Sequence, residues 1–285
     1  MPKLLKLPPV QNFGANLTAI IPQMILGLTY DAFIGEMSGT TITKALMKVF
    51  RGNLNGKMFW NVEGSHLDSQ NKYKRMTANA DYFSVNFAER TARTINGEQI
   101  GSIDTSINID TLDIEMDWGA VSADAKLVMY AMVSPPKPIT INGEINPNKT
   151  TISAMLKKTH SLSGAAGHDV IVPVGSRLGG LIKRVHFHHS GNVTAIEVRK
   201  DGNYLQQVGK VGLVAFVQDE LNRSSQNNHE VWDPMFSDNQ SDAIKTLKKV
   251  DNRIVPASFE YTITTTADED TLVSYTELYT NIARL

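Results

Sequence analysis

The sequence has no cysteine, which excludes disulfide bonds, thiolate catalysis and thiolate metal sites, and fits an intracellular or host-cytoplasm origin. It also has almost no net charge. The formal value is −1 at pH 7, so no overall field attracts phosphate, and no sequence-specific nucleic-acid partner is predicted. The best basic cluster, Lys72, Lys74 and Arg75, is predicted to be a solvated loop or a subunit contact. Stability must therefore come from packing or from oligomerisation.

Long hydrophobic runs are also absent from the sequence. The most apolar early stretch, residues 19–28, is interrupted by Pro22 and is shorter than the roughly 20 residues that a spanning helix needs. The N-terminal sequence MPKLLKLPPV contains Pro2, Pro8 and Pro9, which prevent the apolar core of a signal peptide from forming. We therefore expect no membrane-spanning or targeting segment, and an extended N-terminal arm whose leucines can dock on a neighbouring subunit or a lipid surface.

The 285-residue chain contains many short segments in which apolar and polar residues alternate, and this pattern predicts an all-β protein. The clearest strand covers residues 111–118. Its apolar and acidic residues alternate: Leu112, Ile114, Met116 and Trp118 against Asp113, Glu115 and Asp117. Three carboxylates on one face can form a calcium or acid–base site, but alternation alone predicts a solvated polar face, and no histidine or glycine loop accompanies them. The polar face is the preferred interpretation.

The remaining segments follow the same pattern. Further strands are predicted at 25–34, 45–50, 82–87, 126–133, 181–187, 193–199, 259–263 and 272–275, with another apolar run at 211–217. Turns are predicted at 38–41, 51–56, 163–169, 189–192 and 200–203, and long surface loops at 61–75 and 218–240. Short helices are predicted at 151–158 and at 239–250, where Ser241 is a plausible N-cap.

The two halves of the chain repeat one another. Four anchor pairs occur in the same order: Gly27 and Gly175 (175 − 27 = 148), Val49 and Val198 (149), Leu112 and Phe259 (147), and Leu127 and Leu272 (145). The proline cluster at 134–138 is a natural boundary, because proline lacks the amide hydrogen that a sheet needs. We therefore predict an N-terminal arm and first jelly roll at 1–135, and a linker and second jelly roll at 136–285. Each would be an eight-stranded β-sandwich, so the fold class is a double jelly roll with minor helices.

The stretch 175–203 carries the main histidine cluster. Gly180, His186 and His188 match the opening of a cupin metal motif, but the glutamate that the motif needs is missing, since the next acid is Glu197. If Val185 faces the core, His186 and His188 point outward, and they are predicted to face solvent or an interface. Metal ligands stay unknown, and a two-domain cupin-like metalloenzyme using His186 and His188 remains the alternative function.

Other candidate sites are weak. His66, His160, His168 and His229 are predicted to lie scattered in polar loops, and no nucleophile elbow, P-loop or dinucleotide fingerprint occurs, so no catalytic or cofactor-binding residue is predicted. A carbohydrate-binding sandwich is a third hypothesis. The tryptophans that such a site would use are widely separated, at positions 60, 118 and 232.

The order of these segments carries a family resemblance. LTYDAFIGEMSGTTITKALMKVFRGNLNGK, a polar loop ending in NKYKR, TLDIEMD, VPVGSRLGGLIKRVHFHHSGNVTAIEVRKDG, FEYTITT and SYTELY follow one another from about residue 28 onward. This order resembles the major capsid proteins of tailless icosahedral bacteriophages, in particular the corticovirus type, whose virions carry an internal membrane.

The resemblance implies a viral structural protein and no enzyme. It implies a double jelly roll, pseudo-hexagonal homotrimers, and an icosahedral shell assembled in the host cytoplasm. Implied partners are copies of the chain itself, other virion proteins such as the vertex protein, and an internal lipid membrane. A structural divalent metal such as calcium can lie at subunit contacts. The loops at 61–75 and 218–240 are candidate tower or contact regions.

Overall fold

The structure is a computed structural model that describes residues 3–22, 24–89, 100–146, 149–174, 179–207, 209–224, 226–235 and 242–282. The chain forms two compact units. The first comprises Met1–Asn71, Met76–Ala154 and Tyr279–Leu285, and the second comprises Lys72–Arg75 and Met155–Leu278. Among the described residues, no helix is long and apolar enough to cross a membrane.

The elements up to residue 145 are mostly short antiparallel strands. They are β1 Lys3–Lys6, β2 Thr18–Ile21, β3 Thr29–Ser38, a 3₁₀ turn Lys44–Leu46, β4 Met47–Leu54, β5 Lys57–Val62, helix α1 Gly64–Tyr73, β6 Tyr82–Asn86, β7 Ile103–Asp104, β8 Leu112–Trp118, β9 Lys126–Ser134, β10 Thr140–Ile141 and β11 Glu144–Ile145.

Two sheets enclose the core of the first unit. One has the order β1-β9-β3-β6 with β7 beside β3, and the other contains the run β2-β8-β4-β5. The ring of Phe50 on β4 lies 6.4 Å from the rings of both Phe33 on β3 and Phe83 on β6, measured between centroids. Since β4 belongs to one sheet and β3 and β6 to the other, these apolar faces pack together as a β-sandwich.

The elements from residue 151 onward repeat this arrangement. They are β12 Thr151–Leu162, β13 Gly167–Val170, β14 Leu181–His188, β15 Val193–Lys200, β16 Asn203–Gln206, helix α2 Val211–Glu220, β17 His229–Trp232, β18 Ile244–Lys245, β19 Leu247–Val250, β20 Arg253–Pro256, β21 Phe259–Thr265 and β22 Glu269–Asn281. Trp232 on β17 and Phe187 on β14 pack against Tyr261 on β21, with ring centroids 5.8 and 6.3 Å apart.

The strand orders of the two units are equivalent. The first unit has β1-β9-β3-β6 and β2-β8-β4-β5, and the second has β12-β22-β14-β17 and β13-β21-β15-β16, with the strands in the same chain order. Three anchor pairs lie on or beside equivalent strands, and Gly175 lies outside the described residues. The predicted fold class, a double jelly roll with minor helices, is therefore confirmed. The domain limits 1–135 and 136–285 stay a prediction.

Several local predictions are wrong, each because the expected pattern was ambiguous. Residues 151–158 form the start of β12, whose residues 152–155 are buried on both faces and so show no alternation. The apolar run at 211–217, for which no element type is predicted, is helical, because periodicity cannot separate a short apolar run in a helix from one in a strand. The helix predicted at 239–250 is wrong from Ile244 onward, where β18 and β19 lie, and residues 239–241 are outside the described part.

Two polar segments are also more ordered than predicted. Residues 61–75 contain α1 rather than a long loop. The turn at 51–56 narrows to Asn55-Gly56, both with positive φ, because residues 51–54 belong to β4. The N-terminal arm is extended, as β1 paired with β9, and Leu7 is buried within the chain. Docking of the arm on a neighbour stays a prediction.

Gly35 on β3 allows the core ring of Phe83 to lie directly against the backbone of its paired strand. A Cβ at Gly35 would lie 2.1 Å from the Phe83 ring, so Gly35→Ala must displace that ring. We expect a loss of about 1–3 kcal/mol in the free energy of unfolding, measured by urea denaturation. Gly212→Ala is the control. It meets no atom within 4 Å and adds a better helix former to α2, so it should not destabilise. Equal urea midpoints for Gly35→Ala and the parent chain would contradict this.

Candidate functional site

His186 and His188 lie on β14, between β17 and β22 of one sheet. The predicted strand phase is confirmed, because Val185 and Phe187 belong to the sandwich core. The predicted exposure is wrong, since His186 is 0% and His188 is 4% exposed. Their face of β14 is covered by other side chains of the second unit, and Tyr73 lies edge-on to His186 with ring centroids 6.0 Å apart.

Three imidazoles form a stack on this face. His229 on β17 lies between the other two rings, 4.2 Å from His188 and 5.2 Å from His186, with interplanar angles of 9° and 14°. Nδ1 of His186 and Nε2 of His229 share a hydrogen bond of 3.0 Å. Tyr275 packs edge-on against His188. The prediction that His229 lies in a polar loop is therefore wrong, and so is that for His160, which is on β12.

The buried carboxylate of Glu277 on β22 organises the charges beside this stack. Lys74 Nζ and Lys183 Nζ each donate to its Oε1 at 2.8 Å, and Arg184 Nη1 donates to its Oε2 at 3.1 Å. His186 Nε2 is 3.7 Å from the same Oε2. Burial alone would raise the pKa of Glu277, but Lys183, Lys74 and Arg184 outweigh it and hold that pKa well below its usual value.

Asp233 is the second anion of this cluster. Tyr73 donates its hydroxyl proton to Oδ2 of Asp233 at 2.9 Å, and Arg184 Nε lies 3.3 Å from the same atom. Burial, together with the charge of Asp233, raises the pKa of Tyr73 well above its usual value, so its hydroxyl stays protonated and remains a donor. We call the set Tyr73, Lys74, Lys183, Arg184, His186, His229, Asp233 and Glu277 the buried charge cluster.

The basic residues at 72–75 differ from the predicted solvated loop. Lys74 is buried in the cluster, while Lys72 is exposed as predicted. Arg75 donates from Nε to the carbonyl of Asn222 at 2.8 Å and from Nη2 to the carbonyl of Leu221 at 2.9 Å, which satisfies carbonyls at the end of α2. These four residues are therefore part of the folded second unit.

The geometry of the imidazole stack does not resemble a metal centre. The facing nitrogens of His186 and His229 are engaged with each other in a hydrogen bond, whereas metal ligands must direct their lone pairs to one common point. Within the described residues, no three histidine, aspartate or glutamate side chains are grouped so as to hold an ion. Burial lowers the pKa of His186 to about 4, so this ring is neutral at pH 7. Hydrogen bonds of the cluster link β14 to β22, through Lys183 and Glu277, and β14 to β17, through His186 and His229.

The acidic face of β8 is compensated by neighbouring side chains. Arg51 forms an ion pair with Asp117 and lies 3.7 Å from Oε2 of Glu115. Thr18 donates its hydroxyl to Asp117 at 2.7 Å. Asp113, Glu115 and Asp117 are all partly exposed. This pattern supports the interpretation of a solvated polar face.

The first unit contains a second buried cluster, which no local sequence pattern predicts. Lys149 Nζ lies 2.8 Å from Oδ2 of Asp104, and Lys137 donates its Nζ to the carbonyl of Ser102 at 2.8 Å. Burial lowers the pKa of Lys137 to about 8. A lysine between prolines predicts an exposed linker, and its partners at 102–106 are too distant in sequence to produce a local signal. The cluster anchors the proline-rich segment to the first unit.

Glu230 on β17 is a buried acid, and Nε2 of His189 lies 4.0 Å from its Oε1. Burial raises the pKa of Glu230 from 4.5 to about 7. A folded-state pKa above the unfolded one means that stability is full below pH 4.5 and is lost as pH rises through 7. Glu230→Gln should therefore raise the free energy of unfolding at pH 8 by about 2 kcal/mol, after allowance for burying the amide.

Urea denaturation of the parent chain and Glu230→Gln at pH 8 and pH 5 checks this expectation. The gain should shrink strongly at pH 5, where the parent carboxyl is already neutral in the fold. A gain of the same size at both values would contradict a titration origin.

Comparison with known families and structures gives one consistent result. The family described as the N-terminal domain of viral coat protein P2 matches residues 4–134, and that of the P2 C-terminal domain matches residues 152–282. No curated protein matches.

Solved structures agree on the fold. The major capsid protein P2 from bacteriophage PM2 superposes with a TM-score of 0.79 at 17% identity, covering 99% of this chain and 97% of that chain. The STIV MCP superposes with a TM-score of 0.67 at 11% identity, covering 99% of this chain and 97% of that chain. The PBCV-1 virus capsid superposes with a TM-score of 0.60 at 8% identity, covering 98% of this chain and 93% of that chain.

The two family matches, at residues 4–134 and 152–282, together cover most of the chain, and the observed fold agrees with them. The cupin-like alternative with His186 and His188 as ligands is wrong, because the two histidines belong to a buried stack in a structural protein. The family resemblance and the absence of an enzymatic role are confirmed. The chain belongs to the viral coat protein P2 family and is a structural protein of the virion capsid.

Proposed function

We propose that this chain is a major capsid protein that forms pseudo-hexagonal homotrimers, and that these trimers tile the icosahedral shell of a tailless bacteriophage. The observation that carries the proposal is the equivalent strand order of the two units. Three chains supply six similar blocks, so a closed three-fold trimer has an almost six-fold outline that suits a hexagonal lattice.

Purified protein analysed by size-exclusion chromatography with light scattering tests the trimer. The expected mass is three times 31.4 kDa. Negative-stain imaging of the same material, and of native particles, tests the pseudo-hexagonal outline and the shell. A strict monomer that forms no particles at any concentration would overturn the proposal.

The same proposal names partners beyond the chain itself. The resemblance to corticovirus-type capsid proteins supports a vertex protein, an internal lipid membrane and a divalent cation such as calcium at subunit contacts, with assembly in the host cytoplasm. Light scattering before and after chelation tests the cation, and vesicle flotation of assembled material tests the membrane. If chelation leaves the scattering unchanged, the cation is excluded as a partner, and if the material does not float with vesicles, the membrane is excluded. Neither result affects the proposed trimer.

A further inference from the structure

Helix α2 presents an apolar face to solvent. Gln218 is its only buried residue, whereas Leu213 is 50% and Phe216 61% exposed. Val217 is also exposed, and Leu213 and Val217 line a cavity of about 310 Å³ together with Leu205 of β16. Monomeric proteins rarely expose contiguous apolar patches of this kind, so we expect a binding partner to cover this face.

The equivalent helix of the first unit is covered. Helices α1 and α2 are both ten residues long, follow the equivalent strands β5 and β16, and lie 147 positions apart (211 − 64). Where α2 exposes Phe216 and Val217, α1 has Ser69, which is partly buried, and Gln70, which is buried. This face of the polar helix α1 is therefore buried within its own chain, whereas the corresponding apolar face of α2 is exposed.

The two helix ends are also equivalent in detail. Arg75 and Asn222, again 147 positions apart (222 − 75), both have positive φ, at 63° and 57°. The amide of Arg75 donates to the carbonyl of Lys72, and the amide of Asn222 donates to that of Asp219, both at 2.9 Å. Such a left-handed residue ends a helix and sets the direction of the following chain. The segments 72–75 and 219–222 thus occupy the same place in the repeat.

The end of α1 completes the second unit. Lys72–Arg75 belongs to that unit although it lies far outside its main sequence range. Tyr73 lines the cavity beside α2, and Lys74 donates to the buried Glu277. In a ring of six similar blocks, repetition of this arrangement brings the end of α2 to the first unit of the next chain. The inference that follows rests on the proposed trimer.

We propose that the apolar face of α2, formed by Leu213, Phe216 and Val217, is a subunit interface that docks on the first unit of a second copy of this chain. The accepting surface includes Met58 of β5, which is equivalent to Leu205 (205 − 58 = 147) and is 48% exposed. The interface is heterologous, with α2 of one copy against Met58 of the next, and such a contact closes into a ring when it is repeated by a three-fold axis.

The first test is Phe216→Glu, analysed by light scattering across a dilution series. Because a central aromatic anchor is replaced by a charge, the concentration at which half the chains are trimeric should rise roughly 100-fold or more. Ile254→Glu on β20 is the matched control, since Ile254 is 74% exposed and lies outside the α2 face, and it should leave the trimer unchanged. Circular dichroism and cooperative urea unfolding establish that each variant is folded.

A mixing experiment tests the two-sided contact. Met58→Glu should block the accepting surface and, alone, give monomers. When the two variants are mixed, the Met58→Glu chain still has an intact α2 face and the Phe216→Glu chain still has an intact Met58 surface. One contact between the two chains therefore remains possible. The mixture should therefore form dimers of twice 31.4 kDa and no closed trimers.

The outcomes separate this inference from the proposed function. A folded Phe216→Glu protein that trimerises like the parent chain overturns the α2 interface and leaves the trimer standing. A trimeric Phe216→Glu variant that loses binding to lipid vesicles would also overturn it, because the face would then dock on a membrane. A parent chain that is monomeric overturns the proposed function itself. Failure of the mixture to form dimers overturns the pairing of α2 with Met58.

Discussion

Replacing Glu277 with glutamine should lower the free energy of unfolding by about 3–5 kcal/mol, the cost typical of breaking a buried ion cluster by removing one partner. Glu277 is fully buried and accepts from Lys74, Lys183 and Arg184. Glutamine keeps the size of the side chain but removes the negative charge. The three cations then face one another across a site with little access to water, and their mutual repulsion destabilises β22 against β14.

Urea denaturation at pH 7.5 measures this loss, with Glu115→Gln as the matched control. Glu115 pairs with Arg51 at 3.7 Å on a partly exposed face, and such pairs contribute less than about 1 kcal/mol. A second variant, Glu277→Gln with Lys183→Met, should recover part of the loss because it removes one uncompensated cation. Equal losses for Glu277→Gln and Glu115→Gln would contradict a special role for the buried charge cluster.

The sequence predicts strands well where one face of the strand is in water. On β8, Leu112 to Trp118 alternate between buried and partly exposed positions, and on β21 the same pattern recurs. The period-two signal arises from that contrast, so both strands and the repeat that they define could be predicted. Strands buried on both faces give no such contrast. The sequence at the start of β12 consequently predicts a helix, although the segment is a strand.

The histidines illustrate the same limit at the level of the candidate site. Strand phase correctly places His186 and His188 on the face of β14 opposite Val185. It cannot report what covers that face. The covering residues include Tyr73 and Glu277. Tyr73 is 113 positions from His186 in the sequence (186 − 73), and Glu277 is 91 positions away (277 − 186). No local sequence pattern predicts a contact between residues so far apart in the chain.

The helices show where more could have been predicted. α1 is too polar to give a clear amphipathic pattern, and the apolar run of α2 is ambiguous when considered alone. Their common place in the repeat, 147 positions apart, was available from the sequence anchors (211 − 64). Once one segment is assigned as a helix, the repeat indicates the other. Comparison of the two copies then singles out Phe216 as exposed on a helix whose counterpart is packed.

Acid should destabilise the second unit through the same cluster. Burial lowers the pKa of His186 to about 4, from a usual value of 6.5. Because the folded-state pKa is the lower one, the unfolded chain takes up the proton first. The stability is therefore full above pH 6.5 and is lost as pH falls through 4, by about 3 kcal/mol for a shift of this size. His160 acts in the same direction, since burial also lowers its pKa to about 4. Glu277, whose pKa is depressed, adds a further loss below pH 4.5.

The measurement is the free energy of unfolding between pH 6.5 and pH 4.5, taken in the Glu230→Gln background. Glu230 titrates in the opposite direction over this range, so its removal isolates the histidines. His186→Gln should reduce the pH slope by about one proton, or about 1.4 kcal/mol per pH unit, whatever its effect on the stability at pH 8. His168→Gln is the control, because His168 is partly exposed on β13 and lies outside the cluster. An unchanged slope in His186→Gln would mean that this ring does not stay neutral in the folded protein, and that Glu277 already holds it in the charged form.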